Sequence, residues 1–271
     1  MIAVVEVVAY GLFLPLLAAG IVLAAASRMG LGGRAVGAVA AVVVGFAVGN
    51  HYRQAAEYRV EWEHPPARYW LPWAALLAAG VGSIARPLPV VGRLARVLVA
   101  GLIARLLVPD LPWLGVAFAA AVLAEWELLD RFGEEFGGLL PLGLGVVLLA
   151  AGAVLIHAHS ARLTDLATIL AGSFFGVALA TWGARAEVRG AVPIAVVSLP
   201  GLMLVGQQST YSEVPATSFA LAALAPFALA LLLLVPRRFW RARLLLGLGL
   251  LFATAGAAVL LAAWAEPLAF E

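Results

Sequence analysis

Apolar runs long enough to cross a bilayer follow one another along nearly the whole chain, and they leave it one kind of solvent to fold in. A hydrocarbon core of ~30 Å takes about 20 residues of helix, and lipid satisfies no backbone N–H or C=O, so each run must close its hydrogen bonds internally. The composition agrees: 64% of the 271 residues are hydrophobic and 12% are charged, against about half and about a quarter in soluble domains. The expected fold class is all-α, a polytopic membrane helix bundle that takes residues 1–271 as one transmembrane domain.

Stretches bounded by Arg, Pro, Gly or acidic residues predict ten helices, over 2–26, 35–49, 69–85, 94–108, 113–129, 139–157, 165–184, 191–206, 217–235 and 244–265. Several fall short of about 20 residues and must extend into their flanks or form broken elements; if they do not cross, the count is eight or nine. The first run, Ile2 to Ala26, carries Glu6 where a signal peptide needs positive charge, so it reads as a retained helix. The polar stretch Asn50 to Arg68 alternates Arg with Glu around Tyr52, Tyr58 and Trp62, which suits an interfacial segment.

All the basic residues are Arg and none is Lys, a bias that reads as a GC-rich bacterial genome. Between the predicted helices, Arg28, Arg34, Arg86, Arg93, Arg96, Arg131, Arg185, Arg189, Arg237, Arg238, Arg241 and Arg243 fall on one side, and Arg53, Arg59, Arg68 and Arg162 on the other. Cytoplasmic loops hold the Lys/Arg excess, so the expectation is a multi-pass protein of the inner (plasma) membrane with both termini outside. Ten helices divide as five plus five, and an odd number of crossings per half inverts the second half. That is the arithmetic of an inverted-repeat carrier, although the sequence itself offers only loose correspondences between the halves.

A few polar groups interrupt the apolar pattern. Counted along the helices from the Pro109–Pro112 turn, Arg96 and Glu125 both lie about 20 Å deep, which makes them the depth-matched intramembrane ion pair. Glu125, Glu127, Asp130, Glu134 and Glu135 form the densest acidic run. His51, His64, His157 and His159 all map to the predicted outer face; His157 and His159 share a face only if their segment is extended. Asp165 sits on the expected opening turn of the seventh helix with Thr164 as a cap. The polar segment Gln207 to Glu213, with Ser173, Thr181 and Ser198 further in, supplies the groups from which a solute path would be built. Asp165, Ser173, Thr181, Gln207 and Glu213 are therefore the candidate substrate-binding residues.

The Arg residues punctuate apolar runs instead of forming a basic face, so nucleic acid is not a partner. Zero cysteines exclude disulfides and thiolate metal sites. No HExxH, phosphate loop or Ser–His–Asp arrangement occurs, and no catalytic residue, metal site or cofactor is assigned. The expected partners are the lipid bilayer and either a small-molecule substrate or another membrane protein. A secondary transporter leads on helix count and broken helices. A structural or assembly subunit of a larger membrane complex comes second, on the poverty of central charges, and a membrane-embedded enzyme third.

The orientation is directly testable, because a cysteine-free chain gives no background labelling. Single cysteines at Ser160 and Ser212 are expected to react with an impermeant maleimide added outside, and one at Ser27 is not. The reverse pattern overturns the orientation.

Overall fold

The computed structural model describes residues 7–29, 35–54, 67–84, 89–108, 112–183, 188–209 and 212–267. Of these, 93% are helical and none is in a strand. A π-helical segment, Val7–Phe13, leads into α1, Leu14–Arg28. There follow α2 (Ala35–Gln54), α3 (Ala67–Ile84), α4 (Pro89–Leu107) and α5 (Pro112–Phe136). After these come α6 (Leu139–His157) and α7 (Ala161–Gly183), then a 3-10 turn, Arg189–Ala191, that opens α8 (Val192–Ser209). The last two are α9 (Ala216–Leu224), continued by a 3-10 segment Ala225–Leu234, and α10 (Trp240–Ala265).

Seven of these helical runs are long and apolar enough to cross a membrane: those of α1, α5, α6, α7, α8, α9 with its 3-10 continuation, and α10. The other three show why the expected ten cannot be read from length and apolarity alone. The apolar cores of α2 and α3 shrink to Val36–Tyr52 and Leu71–Gly82, and α4 carries Arg93, Arg96 and Arg105. Most boundaries follow the expected runs, but α4 starts at Pro89, α5 continues to Phe136 and α7 opens at Ala161. Each extension includes charge, respectively Arg93, the run from Asp130 to Glu135, and Arg162, at which a hydropathy reading stops. Of the interfacial stretch, α2 takes the part up to Gln54 and α3 begins at Ala67; Glu57, Tyr58, Arg59, Trp62 and His64 lie outside the described residues, as do Glu6, Arg34, Arg86, Asp110 and Arg185.

α8 is the axis of the bundle, with every residue from Val192 to Met203 buried. α4 and α10 lie outside it and present large apolar side chains outward, such as Leu98, Leu245, Leu260 and Trp264, as helices facing lipid do. In lipid no hydrophobic force draws helices together, so close packing of small residues must hold them. Two glycine pairs at i,i+4 spacing do this. Gly172 and Gly176 of α7 take the backbone running into α1: a β-carbon on either would stand 2.4 Å from the Leu12 carbonyl oxygen or 2.2 Å from that of Leu16. Gly45 and Gly49 of α2 receive the other side of that backbone at Pro15. On α3, Gly82 gives the same room to Gly190 and Pro193.

The Ala225–Leu234 segment is long for a 3-10 helix, since runs beyond 3–4 residues are uncommon. Pro226 has no N–H to continue the α-helical ladder. With three residues per turn, side chains three apart eclipse, and Pro226, Leu229 and Leu232 are indeed the buried stripe. Gly137, at φ +52, makes the turn between α5 and α6, a backbone conformation that suits glycine.

The second five helices retrace the spacing of the first. The α-helices begin at Leu14, Ala35, Ala67, Pro89 and Pro112, and then at Leu139, Ala161, Val192, Ala216 and Trp240, a displacement of 125 to 128 residues each time. Within both sets of five the first helix packs on the second, the third on the fourth and the fourth on the fifth, while the second packs least on the third. Across the halves α2 packs on α7 and α3 on α8; among the described residues the packing of α1 on α7, of α5 on α8, and of α6 on α8, α9 and α10 has no comparable counterpart.

The seam at α7 predicts the most sensitive small-to-large change. Gly176→Ala must displace backbone and is expected to cost about 1–3 kcal/mol. Gly80→Ala, which meets nothing within 4 Å, should be neutral or stabilising by up to about 1 kcal/mol. Thermal unfolding of the two variants in detergent checks the contrast.

Candidate functional site

Three polar or hollow places stand out, one at mid-bundle and one near each end. The first is a cavity between α2, α3, α7 and α8, lined by Phe46, Leu71, Pro72, Ala75, Leu166, Leu170, Ser198 and Leu202. It holds about 10 Å³ of space for a water centre, enough for one molecule. Its walls are apolar except for Ser198, which is 1% exposed and whose Oγ has no hydrogen-bond partner. Prolines interrupt both helices that cross at it, Pro72 in α3 and Pro200 in α8. A proline removes the i to i−4 bond, so the carbonyls of Arg68 and Val196 lose their helical donors.

The second place is an ionic hub near the Gly137 end. The acidic run on α5 draws arginines from two neighbouring helices. Arg96 of α4 donates to Glu127 at 3.0 Å and to Asp130, and its guanidinium lies 5.0 Å from the centre of the Trp126 ring. Arg243 of α10, 4% exposed, donates through Nη2 to Glu135 at 3.0 Å, sets Nε 2.7 Å from the other carboxylate oxygen, and gives Nη1 to the Val235 carbonyl at 2.7 Å. Arg189 lays its side chain against Gly133. The expected partner of Arg96 is thus corrected: it reaches Glu127 and Asp130, and Glu125 stands apart. Depth along a helix sets only one coordinate. Residues 125 and 127 are about 200° apart around the axis, and it is the 127/130 face that α4 covers. Glu125 points inward at 1% exposure, and its Oε1 has no hydrogen-bond partner.

The third is a latch at the other end. Glu266, just past α10, accepts a hydrogen bond from the Glu213 N–H at 3.0 Å and lies 3.3 Å from His159 Nε2, while its own carbonyl oxygen is 2.8 Å from His157 Nδ1. The Glu213 N–H, and after it the His159 ring, hold the Glu266 carboxyl below the usual carboxylate range. His159 has φ +56, the left-handed conformation in which histidine is several-fold enriched. That turn brings two rings to one partner although a helix would point them apart. His157 is buried there.

The five candidate substrate residues are not brought together at the cavity, whose lining includes none of them. Ser173 is fully buried and its Oγ donates to the Ile169 carbonyl; it lies where a β-carbon on Gly45 would stand 2.7 Å away. Thr181 donates to the Ala178 carbonyl and fills the space beside Gly138. Asp165 is half-buried and engaged, Gln207 and Glu213 are exposed. Thr164 does not cap α7, which opens three residues earlier; it donates to the carbonyls of Gly152 and Ser160 and ties α7 to α6. Of the polar path read from the sequence, Ser198 alone lines the cavity.

Among known proteins, no family model matches the chain, and no curated protein resembles it at a significant level. Function must therefore be argued from the arrangement itself.

The hub yields a double-mutant test. Arg96→Gln and Asp130→Asn are expected to couple by about 0.5–3 kcal/mol in unfolding free energy, whereas Arg96→Gln and Glu125→Gln should add to within about 0.5 kcal/mol. Additivity in the first cycle, or strong coupling in the second, overturns the reassignment of the pair.

Proposed function

We propose that this protein is a secondary transporter of a small molecule, built from two five-helix halves of inverted topology, all ten helices crossing the membrane. The observation that carries this reading is where corresponding residues meet. The halves are displaced by 125 to 128 residues, and the cavity is lined by Leu71 with Ser198 and by Ala75 with Leu202, each pair separated by 127 in the sequence. The two glycine pairs, Gly45 and Gly49 with Gly172 and Gly176, share that separation, and Pro72 with Pro200 differs from it by one. In an inverted repeat, equivalent positions come together on the pseudo-two-fold axis at mid-membrane. Transporters of this kind bind their solute there, between helices broken in the middle.

On this reading Ser198 and the carbonyls freed by Pro72 and Pro200 are the polar contacts for a small solute of mainly apolar character. The hub near the Gly137 end and the Glu266 latch at the opposite end keep the path shut on both sides. The Arg distribution supports the Gly137 end as the cytoplasmic one in the inner membrane, with both termini outside. Asp165, Gln207 and Glu213, near the Glu266 end, are proposed as mouth residues, and Ser173 and Thr181 as helix-packing groups. Their bonds to carbonyls of their own helix support that, since hydroxyls in membrane helices commonly bond so. The full burial of Ser173 and the apolar flanks of α4 and α10 favour a second reading, a subunit of a membrane complex.

Alternating access separates the two readings. Ser198→Cys, in the otherwise cysteine-free chain, is expected to react with an impermeant thiol reagent in proteoliposomes, because an open state populated at about 0.1–10% suffices for slow labelling. Ala151→Cys, in the fully buried core of α6, is the reference. Reaction at Ser198 well above the reference supports the transporter; equal inertness of both rejects it in favour of the subunit.

A further inference from the structure

Three acids of α5 turn to arginines: Glu127 and Asp130 to Arg96, and Glu135 to Arg243. Glu125 turns to neither of these arginines. Glu125 is 1% exposed, and its neighbours one turn either way on the same face, Val122 and Leu129, are fully buried apolar residues. Its Oε1 has no hydrogen-bond partner.

The elements packed on α5 carry few charged groups. Of the elements packed on α5, α4 carries Arg93, Arg96 and Arg105, the turn before α8 carries Arg189, α6 has only His157 at its far end, and α8 and Ala225–Leu234 carry no titratable group. On α5 itself the other charged residues are Glu127, Asp130, Arg131, Glu134 and Glu135. No ion pair joins Glu125 to any of them among the described residues. A carboxylate buried among apolar residues, with an oxygen that no donor reaches, is so poorly solvated that such a group takes up a proton instead. An ionisable residue inside a membrane also marks an ion or proton path by default.

We propose that Glu125 is an intramembrane proton-binding site: its carboxyl group holds a proton while the bundle is closed, and releases it to water, leaving a carboxylate, when α5 parts from its neighbours. The neighbour best suited to part is the Ala225–Leu234 segment, whose 3-10 hydrogen bonds have poorer geometry than those of an α-helix. This gives the transporter reading its coupling ion and rests on that reading for its use, while the site itself is tested without transport.

The test is infrared spectroscopy of the full-length chain in an ester-free detergent, reading the carbonyl stretch of a protonated carboxylic acid. At neutral pH the native protein is expected to show such a band, shifted in heavy water, which Glu125→Gln removes and Glu127→Gln leaves. Absence of the band at neutral pH, or its full persistence in Glu125→Gln, overturns the proposal. Should Glu125→Gln fail to fold, Glu125→Asp, which keeps the acid and shortens its reach, must shift the band; an unshifted band rejects the assignment. A band assigned to Glu125 alongside an inert Ser198→Cys leaves a proton site without a transporter, so the two readings fail separately.

Discussion

The contact on which the bundle depends is the close approach of backbone to backbone where the strand of helix entering α1 crosses α7. The carbonyl oxygens of Leu12 and Leu16 occupy the space that β-carbons on Gly172 and Gly176 would need. Lipid tails are as apolar as leucine, so helices in a bilayer gain little by hiding apolar surface from it and associate through tight packing of small groups. From this crossing the rest follows by contact: α2 closes on the far side through Gly45 and Gly49, α6 packs along α7, and α8 is enclosed between the two groups of helices. The cavity lies where α2, α3, α7 and α8 meet, with broken helices on two of its sides.

Charge is arranged on a second principle. Breaking a buried ion pair by removing one partner costs about 3–5 kcal/mol, because the other charge is left uncompensated. The Gly137 end meets this by giving Arg243 a two-point contact with Glu135 plus a carbonyl, and by giving Arg96 two carboxylates and an aromatic face. These bonds span α4, α5 and α10, so they set where the helices sit as well as neutralising their charges. At the other end Glu266 joins the residue after α10 to the turn between α6 and α7 and to the loop before α9. Against this pattern of paired groups, Glu125 and Ser198 are informative because they lack partners.

The helices and several of their ends were legible in the sequence. The run 139–157 matches α6 residue for residue, since its apolar stretch ends at a glycine pair and at polar residues. The even spacing of the two sets of five helices was far harder to see, because a nearly continuous apolar sequence marks few helix starts. Gly45 and Gly49 lie 127 residues before Gly172 and Gly176, and Pro72 lies 128 before Pro200. The Arg96 partner was misread for a related reason: depth can be counted along a helix, but the direction a side chain faces depends on which neighbour covers it.

The sequence by itself therefore determined the solvent and the run of helices, because hydrocarbon tolerates only closed backbone hydrogen bonds and few ions. The tertiary structure decided everything that depends on rotation about the helix axes and on contact between distant segments. It turned Glu127 and Asp130 to Arg96 and left Glu125 in the core, it brought His157 and His159 to Glu266, and it set Ser198 against Leu71 across a cavity. A helix that is apolar on every side offers the same face to lipid and to protein, so pattern alone cannot orient it. Only the packing of small residues against a neighbouring backbone does.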